Sequence, residues 1–118
     1  MAEMKTSERI ASTSEVFDHH LGAFAQGLDA LVSDYTEASS LVLQDRTLTG
    51  LAGIRQFFDG FLKGVQPGFW EAFRIVRQEV SGEVAYLVWE ARPFVGLATD
   101  TLLVRDGKIH VQTFTALA

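Results

Sequence analysis

The tightest constraint on this chain sits at its C-terminal end, where Gly96 to Ala118 reads GLATDTLLVRDGKIHVQTFTALA. Asp106-Gly107 is a two-residue turn suited to the left-handed backbone of a tight hairpin, so the segments at about 97–105 and 109–116 are predicted to pair antiparallel. Setting Arg105 opposite Lys108 puts Val104 opposite Ile109, Leu102 opposite Val111 and Asp100 opposite Thr113. Asp100 then stands in a row of apolar residues that is patterned for burial. Two further strands are predicted at about 69–80 and 84–92, joined at Ser81-Gly82, with Pro93 to Gly96 as the turn into the hairpin. If Arg92 and Leu97 flank that turn, Trp89 lies opposite Asp100 and Leu87 opposite Leu102. A slip of one residue there would exchange the two faces.

Helical spacing fills the N-terminal half. Ser12-Thr13-Ser14-Glu15 has the spacing of a capping box, with an earlier start near Ser7 as the alternative, and Val16, Phe17, His20, Ala23, Phe24 and Gly27 follow on one face. A short second helix is predicted from Leu28 to about Tyr35, then a strand Ser40–Gln44, a turn at Asp45-Arg46 and a return stub at Thr47-Leu48. A third helix, about Leu51 to Leu62, carries Ile54, Phe57, Phe58, Phe61 and Leu62 as its stripe, and Gly64 to Gly68 ends it. Helices followed by a run of antiparallel strands make an α+β fold, in which a curved sheet wraps the N-terminal helices. With 118 residues the chain supports one core: residues 1–6 are read as a loose leader and 7–118 as a single domain.

Composition excludes several classes of function. A net charge of -5 without any Lys/Arg run argues against nucleic acid and anionic membranes as partners. Without cysteine there is no thiol catalysis, disulfide or thiolate metal site. The polar start MAEMKTSERIAST has no apolar core of a signal peptide, and no apolar run approaches the ~20 residues of a membrane helix, which points to a cytoplasmic setting. Asp18-His19-His20 offers three metal-ligand types in a row, but helix neighbours point apart, and no metal site is expected. No Walker or dinucleotide glycine pattern occurs, and no cofactor is expected.

The pairing assigns Ala85, Leu87, Trp89, Ala98, Asp100, Leu102, Val104, Ile109, Val111 and Thr113 to the face against the helices. The other face carries Tyr86, Val88, Glu90, Thr99, Thr101, Leu103, His110, Gln112 and Phe114. That face is more apolar than a solvated one, so Tyr86, Val88, Leu103 and Phe114 predict a homodimer through the outer sheet face, a scatter of exposed apolar residues being the alternative.

Three stretches carry a family resemblance: AFAQGLDALVSDYTEASSLVL, LTGLAGIRQFFDGFL, and VSGEVAYLVWEA followed by ATDTLLVRDGKIHVQTF. The chain resembles the nuclear transport factor 2-like superfamily in its SnoaL-like, ketosteroid isomerase-like branch, which includes polyketide cyclases, scytalone dehydratase and limonene-epoxide hydrolase. The resemblance covers nearly all of Ser14 to Ala116. It implies a cone-shaped sheet of cystatin-like α+β roll type, closed by helices around a pocket for a small apolar ligand, and dimers that often use the sheet's outer face. On that resemblance Asp100 aligns with the acid that ketosteroid isomerases use, protonated, to donate to an enolate oxygen, and a structural Asp bonded to a loop amide or to Thr113 is the alternative. His20 matches the isomerase tyrosine of the oxyanion hole, and could instead be satisfied by a backbone carbonyl or water at the helix–sheet boundary. The pocket wall is assigned to Phe17, Phe24, Leu43, Phe57, Phe61, Leu87, Trp89, Leu102, Val111 and Thr113. Phe69 and Trp70 are read as core, with a pocket mouth as the alternative.

The departures from the isomerase pattern matter. Leu43 stands where the isomerases carry their carboxylate base, so the double-bond shift loses its proton carrier unless His20 supplies it. Neither the arginine-bracketed aspartates of an epoxide hydrolase nor the late acid of a polyketide cyclase is present, since Thr113-Phe114-Thr115-Ala116 has no acid. Two functions survive: proton transfer, dehydration or cyclisation of an apolar carbonyl or enol compound by Asp100 and His20, or a dimeric ligand-binding or association module with a vestigial pocket.

Overall fold

The computed structural model describes residues 9–118, so the leader expected over residues 1–6 lies outside the described residues. The first helix, α1 (Thr13–Ala23), starts on Ser12. The Ser12 hydroxyl accepts from the Glu15 N–H at 3.1 Å, and Glu15 Oε1 accepts from the Ser12 N–H at 2.8 Å, the reciprocal box that the spacing predicts. Val16, Phe17, His20 and Ala23 form its buried face. A short α2 (Leu28–Val32) leads into β1 (Tyr35–Val42), which folds back on β2 (Thr47–Thr49). After α3 (Leu51–Gly64) and the single turn α4 (Phe69–Ala72), four strands complete the chain: β3 (Phe73–Ser81), β4 (Val84–Ala91), β5 (Val95–Arg105) and β6 (Lys108–Leu117).

The strands form one six-stranded sheet in the order β2-β1-β6-β5-β4-β3. Every neighbouring pair is antiparallel except β1 with β6, which the crossover through the helices makes parallel. This is the expected α+β roll, a curved mixed sheet around N-terminal helices. Leu41, Leu87, Trp89, Leu102 and Ile109 line its inner face and meet Phe17, Leu31, Ile54 and Phe58 from the helices. Burying a side chain of this size stabilises the fold by about 1.5–3 kcal/mol. Among the described residues, no helix is long and apolar enough to cross a membrane.

The hairpin between β5 and β6 forms on Asp106 (φ 55°) and Gly107 (φ 75°), both left-handed, with Arg105 opposite Lys108 and Val104 opposite Ile109 as expected. Beyond that point the register departs from expectation. Leu103, not Leu102, lies opposite Val111, which leaves His110 as an extra residue on β6. The side-chain alternation therefore flips for the rest of β6. Gln112 and Phe114 turn inward, opposite Leu102 and Asp100, while Val111 and Thr113 turn outward. Phe114 is accordingly not part of the outer face to which the sequence assigned it, and Val111 and Thr113 are not part of the inner one. Between β4 and β5 the register is displaced by two residues, with Leu87 rather than Trp89 opposite Asp100. An even displacement keeps every side chain on its expected face.

Three boundaries also move. The helix expected to reach Tyr35 stops at Val32, and Tyr35 begins β1. That strand ends at Val42 rather than Gln44, so Leu43 sits in the turn, its N–H bonded to Arg46 O at 2.7 Å. The long strand expected from residue 69 begins only at Phe73, because Gly68 (φ 89°) opens the turn α4. Tyr86, Val88 and Leu103 do lie on the outer face, half-buried, with the Arg77 guanidinium 5.4 Å from the centre of the Tyr86 ring.

Candidate functional site

Between the helices and the sheet lies a cavity of about 470 Å³. Helices α1 and α3 contribute Phe17, His20, Phe24, Phe57 and Phe61 to its wall, and the inner face of the sheet contributes Leu87, Trp89, Asp100 and Leu102. The sequence reading assigns these nine to a pocket as well. Leu43, Val111 and Thr113 do not line it. Leu43 packs at the edge of the core beyond the end of β1, and the β6 bulge turns the other two outward. Phe69 and Trp70 both reach the wall, Phe69 also as core and Trp70 at 44% exposure, which places its ring at the rim.

The aromatic rings meet mostly edge to face. Phe24 packs against Phe58 and Phe61 at 72° and 73°, and Phe69 against Trp70 at 88°. Trp89 is the hinge between wall and polar group: its ring lies parallel to that of Phe114, 6.2 Å away, and its indole N–H donates to Asp100 Oδ1 at 2.9 Å.

Asp100 is the centre of the polar end. Its second oxygen, Oδ2, accepts from the Gln112 side-chain amide at 2.9 Å, and the Gln112 carbonyl accepts from the Tyr35 hydroxyl. Burial pushes the Asp100 pKa up, and the hydrogen bonds from Trp89 and Gln112 and the nearby His20 pull against it. The Tyr35 hydroxyl is pushed well above its ordinary range, by burial first and then by the negative charges of Asp100 and Asp34. The sequence's alternative for Asp100 is a bond to a loop amide or to Thr113; among the described residues its side-chain partners are instead Trp89 and Gln112.

His20, also buried, lies against the rings of Phe24, Tyr35 and Phe58 at 5.4–6.0 Å between centres. Its Nδ1 is buried without a hydrogen-bond partner, 3.7 Å from Asp34 Oδ2. Asp34 instead bonds the neighbouring His19, whose Nδ1 is 2.8 Å from Oδ1. Among the described residues no backbone carbonyl bonds His20 Nδ1. Among the described residues, no three His, Asp or Glu side chains are grouped to hold a metal ion.

Three residues around the polar end of this site escaped the sequence reading. Tyr35 was assigned to a helix face, Gln112 to the outer sheet face, and Asp34 to no role. For Gln112 a signal existed. Setting Thr99 and Thr101 opposite Thr115 and Thr113 pairs threonine with threonine, and that register is the one the structure has.

No protein-family model matches the chain, and no curated protein matches it. Solved structures do. A nuclear transport factor 2-like protein of unknown function from Mesorhizobium loti is 18% identical, with 90% of this chain and 91% of that one covered and a TM-score of 0.73. A SnoaL-like-family protein from Agrobacterium tumefaciens is 14% identical over 87% of this chain and 95% of that one, with a TM-score of 0.62. A de novo designed protein with a curved β-sheet matches as well, at 16% identity, 89% and 84% coverage and a TM-score of 0.71. The chain therefore has the nuclear transport factor 2-like, SnoaL-like fold around an apolar cavity. That a designed protein matches equally well shows how little chemistry this fold dictates.

Proposed function

We propose that this is a small-molecule pocket protein of the SnoaL-like type, in which the aromatic cavity takes a small, mostly apolar molecule and Asp100 and His20 meet its polar part. One observation carries the reading: a buried carboxyl group lines an aromatic cavity whose wall, among the described residues, contains no Lys or Arg. Buried carboxyls cost stability, and one placed against empty space has a use beyond packing. A carboxyl and a histidine across such a cavity can carry proton transfer, dehydration or ring closure of a carbonyl or enol compound, with His20 as base or donor and Asp100 as donor or its partner. A second reading, binding without turnover, is favoured by Leu43 in place of a base and by Asp100 being the one carboxylate of the cavity wall among the described residues.

A thermal-shift screen against steroid ketones, naphthols, aromatic polyketide fragments and terpene epoxides tests the pocket. A ligand at about 100 times its dissociation constant adds about 2.7 kcal/mol of stability. A hit that disappears in Asp100→Asn and His20→Ala supports the site, and absorbance assays on that hit separate turnover from binding. Silence across the panel sinks the pocket reading.

The proposal extends to a homodimer through the outer sheet face. Tyr86, Val88 and Leu103 support it, together with Val84 and Leu97, which are 39% and 42% exposed. Sedimentation of wild type and Leu103→Lys tests this: a dimer should become a monomer, and a wild-type monomer at micromolar concentration ends the idea.

A further inference from the structure

We propose that the preferred occupant is a hydrophobic amine bound as its ammonium ion, with Asp100 as counter-charge and the aromatic wall around it. The proposal rests on the pocket reading above and names its ligand class. Three observations converge on it.

Charge comes first. The nineteen described residues that line the cavity include one carboxylate, Asp100, one histidine, His20, and no Lys or Arg. Among the described residues the salt bridges of Arg55, Arg77, Arg92 and Arg105 go to other carboxylates, and Lys108 donates to the Ser33 carbonyl at 2.7 Å. Among the described residues Asp100 has no salt-bridge partner, only the hydrogen bonds from Trp89 and Gln112. A carboxylate or phosphate in the cavity would meet this charge with no arginine or lysine to offset it.

The hydrogen-bond inventory comes second. Each Asp100 oxygen accepts from a protein N–H: the Trp89 indole has only a donor to offer, and the Gln112 amide is oriented by the Tyr35 hydroxyl on its carbonyl. That arrangement suits the ionised acid and leaves each oxygen with lone-pair capacity toward an occupant. An ammonium or hydroxyl group can use it, whereas a ketone or ether has no hydrogen to give. Burial works against the charge on Asp100, and a cation beside it would offset that cost.

The wall comes third. Ten aromatic residues line the cavity, seven of the eight phenylalanines among them coming from helices or their ends. Ring faces attract cations, an attraction that an alcohol of the same shape does not share. The 470 Å³ of space exceeds what a two-ring amine fills.

Four naphthalene probes of one shape test the proposal: naphthalen-2-ylmethylamine, naphthalen-2-ylmethanol, 2-acetylnaphthalene and naphthalene-2-carboxylate. Each is titrated near neutral pH into wild type and Asp100→Asn, with calorimetry for affinity and the Trp89 indole N–H resonance for location. The amine should bind about tenfold tighter than the alcohol, equivalent to about 1.4 kcal/mol. The ketone should follow and the carboxylate come last. Asp100→Asn should bring the amine down to the alcohol and leave the ketone unchanged. The wild-type ranking stands by itself if that variant does not fold. A ketone or carboxylate as tight as the amine overturns the ligand class and leaves the pocket intact. An amine preference that survives Asp100→Asn overturns the role given to Asp100, and no binding by any probe overturns both the class and the pocket.

Discussion

Replacing Gln112 by Leu interrogates the polar end of the cavity at its centre. The Gln112 side chain is 2% exposed and bridges two buried groups, taking the Tyr35 hydroxyl on its carbonyl and giving its amide to Asp100 at 2.9 Å. Leucine has a similar volume and no polar atoms, so the change leaves the Tyr35 hydroxyl and Asp100 Oδ2 in place without their Gln112 partner, while Trp89 still donates to Oδ1. An orphaned buried polar group costs about 1–3 kcal/mol, and two of them would give about 2–6 kcal/mol before the added apolar surface offsets part of it. The net expectation is a loss of about 2–4 kcal/mol in urea denaturation, or roughly 4 °C of melting temperature per kcal/mol at this size. Coupling should be visible too. In a double-mutant cycle with Asp100→Leu, which removes the acid that Gln112 serves, the combined loss should fall short of the sum by about 1 kcal/mol or more. A Gln112→Leu protein within about 0.5 kcal/mol of wild type, or additive losses, would show that Gln112 does not hold Asp100 and that the β6 bulge has been placed wrongly.

Three other outcomes are expected. Because burial raises the folded-state pKa of Asp100 above its ordinary value of 3.8, the folded protein holds that proton more tightly than the unfolded chain. Its contribution is therefore full below pH 3.8 and is lost as pH rises through the folded value; urea midpoints of wild type should fall relative to those of Asp100→Asn over that window, and an opposite slope refutes the shift. Gly107→Ala places a side chain at φ 75°, where its Cβ would also come within 3.4 Å of the Ala11 nitrogen, and should cost about 1 kcal/mol by thermal melting; no loss would contradict the turn geometry. Ser12→Ala removes the reciprocal cap of α1 and should cost about 1 kcal/mol in urea, while Ser12→Asp should cost much less.

Much of the architecture is legible because its signals are local. The Ser12–Glu15 spacing, the Asp106-Gly107 turn and the phenylalanine stripe of α3 each determine a short piece of chain, and together they give the order of helices and strands. Asp100 is legible for the same reason, since alternation alone puts it in line with Leu102 and Val104. What fails is whatever depends on counting across strands. His110 adds a single residue to β6, and the hydrophobic pattern of VQTFTA does not mark which half faces inward, because Val111 and Phe114 are both apolar and of opposite parity; only the threonine pairing does. One added residue exchanged Val111 and Thr113 for Gln112 and Phe114 in the wall. The displacement between β4 and β5 did less harm because it was even. Tyr35 was misread because its spacing from Leu28 and Leu31 suits a helix, while the pairing of Tyr35 with Ile109 across the sheet decides otherwise. Asp34 is silent in sequence: its place beside His19 and His20 arises from the packing of α1 against the start of β1.

The most direct measurement is a titration of ¹⁵N,¹³C-labelled protein with naphthalen-2-ol, following the two indole N–H resonances, with Trp70→Phe to assign them. If the cavity is a ligand site with Asp100 at its polar end, the Trp89 indole shifts and saturates, Trp70 at the rim moves with it, and the side-chain methyls of Val88, Thr99 and Leu103, which face outward, move least. A Trp89 resonance that stays still while the outer face responds, or no saturable shift at all, contradicts the cavity as the functional site.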